Sequence, residues 1–393
     1  MLQNINQPKD TDAILGSQTL PIHNSAVLGG IDDVLDRLTS SIIEQRIAAL
    51  SEALLYGEDG LDLVIMCLNE EPEQVGQTAY LLLRNRTEPK VRQALREYGS
   101  YEFFECLGVI KADAHRVVIS PDSKTIVSLG QKIIQFWDLK TLKYKFALKS
   151  NYDVFLLAFL DNKTILYHYN GLIRVWDLHL KWFKLSMWVA EYDVECLAIS
   201  EHGNIAVCDS DMTIKIWNLN TGKCIRSIDD TADYLAITSD GKTFVSFNHS
   251  NGNIIKLWDI ETGCCKHTIE MRSDCNSIYI SPDGKNIVVD FGQFIEIWDI
   301  QTGRSKYTYQ IEENQFHQAT LTITPDGNTI LIGCNDGTIE LLDLETGEIF
   351  GSLKGHVASV NSIAISADKK FLVSSSDDNT IVIWGMQAKS YLP

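Results

Sequence analysis

The chain has 393 residues, more than one hydrophobic core usually accommodates, so two or more folding units are expected. Its formal charge of -18 opposes contact with polyanions and leaves nucleic acid and anionic membrane as poor partners, while 45% apolar and 22% charged residues argue against disorder throughout. No apolar run is long enough to span a bilayer, and residues 1–25 hold no basic stretch followed by an apolar one. The expectation is a cytoplasmic protein without membrane insertion.

In chain order, residues 1–24 are polar and aperiodic and read as a flexible arm, and residues 25–100 change to helical spacing. The run SIIEQRIAALSEALLYG places Ser41 and Glu44 as a capping box and Ile43, Ile47, Leu50 and Leu54 on one stripe, with Gly57 as the stop. A second helix follows in GLDLVIMCLN. Pro72 and Pro89 suit the first turns of two more, and Val75, Ala79, Leu82 and Leu83 recur along one face. A shift of 30 residues lays Ala49 on Ala79 and Leu50 on Tyr80. With VRQAL at 91–95, this segment resembles HEAT-like helical repeats.

From residue 101 to 393 the helical period gives way to a unit of about forty residues. Its anchors are Trp137, Trp176, Trp217, Trp258, Trp298, Leu342 and Trp384, each closing an alternating strand, at steps of 39, 41, 41, 40, 44 and 42 residues. Turn signals such as SPDGK at Ser281 precede many anchors, and others such as ETGE at Glu345 follow them. Each unit therefore reads as four short antiparallel strands. Such a sheet has two apolar faces and must stack on neighbours to fold.

Residues 101–385 resemble the WD-repeat family of β-propellers. The fold class expected is mainly β: a seven-bladed propeller preceded by a small α-helical segment. The resemblance also implies a polar network in the last unit joining His356, Ser374, Asp378 and the anchor Trp384. A hydrolytic triad is the sharper reading of the same residues, but no nucleophile elbow or oxyanion motif accompanies it. The six preceding units lack the Gly-His element, and units 3 and 6 keep only Asp211 and Asp336 of the network. Residues 101–107 are expected to return as the missing outer strand of the last blade, since too little chain follows Trp384 to supply it.

The nine cysteines form no CxxC or His-spaced pattern, and no metal-binding or phosphate-loop motif is present, so neither metal nor cofactor is expected. The innermost strands, read as VVIS, LLAF, CLAIS, YLAIT, SIYIS, TLTIT and SIAIS, supply no acid/base pair. The reading is a non-catalytic protein interaction scaffold and not an enzyme, with other proteins as partners. The alternative is a propeller enzyme or a relative of phycobilin lyases. Helical repeats joined to a WD propeller are similar to proteins common in cyanobacteria, implying a bacterial source. Candidate contact residues on one loop face are Tyr152, Tyr167, Tyr169, Tyr192, Phe291 and Phe316, because bulky rings in loops are not demanded by blade packing. Trp182 and Trp188 lie off the anchors and are further candidates.

Overall fold

The computed structural model describes residues 30–70, 72–84, 86–98, 101–150, 154, 156–169, 171–189, 194–200, 204–209, 213–249, 252–271, 273–311 and 320–386. The expected arm at 1–24 lies outside them. The chain divides into two compact units, Met1–Ser100 and Tyr101–Pro393.

The first unit holds helices α1 (Ile31–Leu38), α2 (Ile43–Ala53), α3 (Gly57–Met66), α4 (Glu73–Leu83) and α5 (Pro89–Tyr98). None could bury its stripe alone. Packed together they enclose Val34, Ala49, Leu50, Ala53, Leu61, Val64, Val75, Ala79, Leu83, Val91 and Leu95, all at most 1% exposed. The capping box expected at Ser41 and Glu44 is not formed; Ser40 takes its place, its hydroxyl accepting from the Ile42 amide at 3.1 Å and donating to Gln45 at 2.7 Å. Gly57, at φ 62°, breaks the chain between a short 3-10 turn and α3, where an L side chain would be strained.

The second unit is made of seven four-stranded antiparallel sheets. Sheet 1 comprises Arg116–Ile119, Thr125–Gly130, Ile133–Asp138 and Tyr144–Lys149. Sheets 2 to 6 occupy 156–188, 194–228, 234–270, 277–310 and 320–354 in the same order of strands. Sheet 7 combines Val360–Ile365, Phe371–Ser376 and Thr380–Gly385 with Glu105–Lys111, which pairs with Thr380–Gly385. The closing strand thus comes from the start of the unit, as expected. It runs four residues later than expected, because residues 101–103 form a 3-10 turn whose Tyr101 is buried in the core.

Apolar clusters join the sheets in a closed series. Trp137 packs with Val373 and Ile381 between sheets 7 and 1, and Trp176 lies against Val127 and Phe136 between sheets 1 and 2. Trp217 joins Leu166 and Ile173 of sheet 2, and Trp258 joins Ile214 and Ile216 of sheet 3. Trp298 rests against Val245 and Phe247 of sheet 4, Leu342 against Val288 and Ile297 of sheet 5, and Trp384 against Leu331 and Leu341 of sheet 6. Every anchor therefore fills the seam toward the preceding sheet. An indole is broad and flat enough to span the gap between two stacked pleated surfaces.

The turns follow from side-chain capping. Ser120, Thr238, Ser281 and Ser366 donate to the aspartate two residues on, Asp122, Asp240, Asp283 and Asp368, at 2.5 to 2.7 Å. The Asp after each of several anchors accepts from the amide of the following Thr: Asp138 from Thr141, Asp259 from Thr262, Asp299 from Thr302 and Asp343 from Thr346, at 2.7 to 2.9 Å. The Trp-Asp pair thus has two tasks, one ring for the seam and one carboxylate for the turn.

Candidate functional site

The structure brings His356, Ser374, Asp378 and Trp384 together in sheet 7. Trp384 Nε1 donates to Ser374 Oγ at 2.8 Å, and Ser374 Oγ lies 2.8 Å from His356 Nε2. Because the hydroxyl already accepts from the indole, its own proton points to Nε2, which leaves the imidazole proton on Nδ1, facing Asp378 Oδ2 at 3.0 Å. Asp378 also accepts from the amides of Val357 at 3.1 Å and Thr380 at 2.9 Å. Burial pushes its carboxyl upward, but the Thr380 hydroxyl, the Val357 amide and His356 outweigh this and hold it below the ordinary range.

These residues have the types of a Ser-His-Asp triad, yet the geometry serves another end. Ser374 is fully buried, and its hydroxyl bridges an indole donor and an imidazole acceptor. A nucleophile needs open space on one side of its oxygen. Here that space is occupied by Trp384, so the chain of bonds fixes the loop at Asp378 to the blade interior.

The partner of the anchor indole changes around the ring. In sheets 1 and 4 it is a serine at the equivalent register position, Ser128 at 2.9 Å and Ser246 at 2.8 Å. In sheet 5 Trp298 donates to Glu296 at 2.9 Å. In sheet 2 that register position is Tyr167, and Trp176 Nε1 has no hydrogen-bond partner among the described residues. Asp336 of sheet 6 caps its own loop through Thr338 at 2.6 Å, and Asp211 lies outside the described residues.

The expected aromatic face needs correction. Tyr152, Tyr192 and Phe316 lie outside the described residues. Tyr167 and Tyr169 belong to the strand Thr164–Tyr169 and are each 6% exposed. Their rings stack at 6.2 Å between centroids within the seam of sheets 1 and 2, and the Arg174 guanidinium lies 5.1 Å from the Tyr169 ring. Second strands are covered on both faces, so these tyrosines are core. Phe291 is half-buried and stacks on Phe294 at 4.6 Å. By contrast Trp182 and Trp188, at the two ends of the outer strand Trp182–Trp188 of sheet 2, are 73% and 67% exposed, with Leu180 beside them at 69%.

The first strands of the sheets face a central channel. A cavity of about 430 Å³ there is lined by Arg116, Tyr234, Ser277, Tyr279 and Thr322, from sheets 1, 4, 5 and 6. Arg116 is exposed to this space although protein surrounds it, and the resulting desolvation depresses the basicity of its guanidinium. Burial likewise pushes the Tyr279 phenol up. Asp290 in sheet 5, fully buried, accepts from the Gly292 amide at 2.7 Å, and desolvation raises its carboxyl. Reading the innermost strand of sheet 1 as VVIS missed Arg116, which precedes the apolar run. Its signal was a charge at the mouth end of an inner strand.

Among the described residues no group of three or more His, Cys, Asp or Glu is placed to hold a metal ion. Cys67, Cys106, Cys196, Cys224, Cys264, Cys265, Cys275 and Cys334 are free; of these Cys67, Cys275 and Cys334 are buried, and burial pushes the Cys275 and Cys334 thiols up to about 12, where they are inert. Cys264 and Cys265 are exposed neighbours without a bridge. Among the described residues no helix is long and apolar enough to cross a membrane.

Seven meander sheets, seam-filling anchors and capped turns define a β-propeller. Residues 186–218 and 347–385 match the family "WD domain, G-beta repeat". It is 34% identical over 70 residues to "Apoptotic protease-activating factor 1" of Mus musculus, covering 18% of this chain and 6% of that protein. It is 26% identical over 180 residues to "Autophagy-related protein 16" of Arabidopsis thaliana, covering 45% of this chain and 35% of the relative. "Nuclear distribution protein PAC1-2" of Uncinocarpus reesii is 34% identical over 64 residues, 16% of this chain and 14% of its own. The chain thus spans well under two thirds of the length of each. These relatives are eukaryotic and lend no support to a cyanobacterial or bacterial origin, and the residues that match the family model lie outside the helical unit and lend none to its HEAT-like reading.

Proposed function

We propose that this chain is a non-catalytic scaffold for protein partners, in which the seven sheets act as one seven-bladed ring and residues 25–100 form a separate helical unit. The observation that carries this reading is the exposure of Trp182 and Trp188 on the outer strand of sheet 2, with Leu180 adjacent. Large apolar rings held open to solvent forgo burial worth about 2 kcal/mol each, and such rings are enriched where proteins bind one another. The other tryptophans are spent on the seams. The match of residues 186–218 and 347–385 to the WD-repeat family model points the same way, and the buried His356 network offers no reacting group to a substrate. Exposed, unbridged Cys106, Cys224, Cys264 and Cys265 suit a reducing compartment such as the cytoplasm.

The test is affinity capture from the source organism with the native chain and with a Trp182→Ala, Trp188→Ala chain, checked for fold by circular dichroism. The substituted chain is expected to lose partners that the native chain retains. Retention of all partners would move the contact off this strand.

A further inference from the structure

We propose that the outer strand Trp182–Trp188 of sheet 2 pairs with the same strand of a second copy of this chain, antiparallel and centred on Leu185. The proposal rests on the scaffold reading in that the same exposed rings carry both, and it commits one face to one partner. The strand reads WFKLSMW, a near-palindrome of side-chain types about its middle residue. Exposure alternates along it: Trp182, Lys184, Ser186 and Trp188 are open, whereas Phe183, Leu185 and Met187 pack on the apolar clusters of the neighbouring seams. An antiparallel copy centred on Leu185 therefore sets Trp182 opposite the copy's Trp188, Lys184 opposite its Ser186 and Phe183 opposite its Met187. Each aromatic ring meets another, and neither lysine faces its equivalent.

The edge itself is open to pairing. This strand is the last of its sheet. The Val189 amide turns inward to the Gly171 carbonyl at 2.9 Å, and peptide groups of alternate residues face opposite edges, so those of Ser186 and Trp188 turn outward. Charged residues guard the other outer strands, the usual protection of an exposed edge. Those of sheets 1, 3, 4, 5 and 7 carry Lys145 and Lys149, Lys223 and Arg226, Lys266 and Glu270, Arg304 and Lys306, and Glu105 and Lys111. In sheet 6 the strand Ile349–Lys354 ends on Lys354 and holds no tryptophan. Sheet 2 has Lys184 alone, and its ammonium is drawn toward its own blade by Asp177 at 3.1 Å and Thr164 at 2.9 Å.

Area and charge set the strength. Four indoles of about 150 to 250 Å² each, more than half open, together with Leu180 and the strand edge of both copies, give a contact of about 1,000 Å². That is the low end of specific interfaces and corresponds to a micromolar dimer, so the chain is a monomer at nanomolar concentration. A charge of -18 on each copy repels the other at long range, and salt screens that repulsion. The dimer therefore tightens as ionic strength rises from low to physiological.

Sedimentation velocity of the whole purified chain, from nanomolar to submillimolar concentration, tests the pairing. A concentration-dependent dimer is expected, and a Trp182→Ala, Trp188→Ala chain should stay monomeric. Ser186 reads the register. Ser186→Lys sets a lysine against the copy's Lys184 at two symmetric places and should weaken the dimer by about tenfold, whereas Ser186→Glu sets a carboxylate there and should tighten it several-fold. Apolar adhesion without this register would respond alike to both. These two variants keep the indoles, so they decide the matter even if the double alanine chain does not fold. A chain that is monomeric at every concentration, or a dimer that both Ser186 variants shift in the same direction, would overturn the pairing. The scaffold reading fails separately. A monomeric chain that still captures other proteins through Trp182 and Trp188 removes the second copy and leaves the scaffold, and a dimer that captures no other protein keeps the pairing and removes the scaffold.

Discussion

The indole N–H of Trp384 and the hydroxyl of Ser374 meet at 2.8 Å inside sheet 7, both groups almost wholly removed from solvent. This bond ties the seam to the loop network, because the same hydroxyl continues to His356. Ser374→Ala leaves both the indole and Nε2 without partners in a buried site, which costs about 1 to 3 kcal/mol. Urea unfolding should show that loss for Ser374→Ala and for His356→Ala. Glu296→Gln in sheet 5 should cost less, since glutamine keeps an acceptor for Trp298 in a half-buried setting.

Acid should weaken the fold through its turn aspartates. Asp138 is held down to about 2, from an ordinary 3.8, by the Thr141 amide, against a smaller opposing push from burial and with help from Lys145. Asp259 and Asp299 are depressed in the same direction, by Lys266 and by the Thr302 amide respectively. A folded value below the unfolded one means that stability is fully present above about pH 4 and is lost as pH falls through about 2. Melting temperatures measured across that range should fall toward acid. The fall should be shallower in a chain carrying Asp138→Asn, Asp259→Asn and Asp299→Asn, and an equally steep fall would contradict the assignment.

Asp290 has the opposite sign. It is fully buried, and desolvation raises its carboxyl, so its ionised form costs stability at neutral pH. Asp290→Asn keeps an oxygen for the Gly292 amide and removes the buried charge. The variant is expected to melt at or above the native temperature at pH 7, with the difference shrinking as pH falls and the native carboxyl takes up its proton. A clear drop at pH 7 would show that the charge has a buried counterpart.

The anchors were legible in the sequence because a propeller repeats one packing problem, and each seam needs a wide group at one strand end. Trp137 and Trp258 are found where the forty-residue period put them, and Leu342 fills its seam although it is smaller. The His356 network was legible because its four residues stand at family spacing. Tyr167 and Tyr169 were misread for a physical reason: every residue of Thr164–Tyr169 is buried, so no alternation separates strand from loop there. Arg116 was missed because an inner strand's apolar run starts one residue after it. Its importance depends on what lies across the channel, which no local pattern encodes.

The closing strand offers the last test. Glu105–Lys111 pairs with Thr380–Gly385 through Cys106 to Trp384, Val109 to Val382 and Lys111 to Thr380, with an irregularity between Cys106 and Gly108. It does more than cover an edge: Ile110 packs with Ile381, Ile383 and Trp137 in the seam of sheets 7 and 1, and the preceding Tyr101 and Phe104 pack with Trp384 in the seam of sheets 6 and 7. A chain beginning at Ala112 would lose these groups and expose the backbone donors and acceptors of Thr380–Gly385, an invitation to pair with another copy. Calorimetry should show a lower melting temperature for that chain than for one beginning at Tyr101, and sedimentation should show association. Supplying a peptide of residues 101–111 should restore the monomer and part of the lost temperature. A chain beginning at Ala112 that stays monomeric and melts unchanged would mean that this strand is an ornament of the ring and not its clasp.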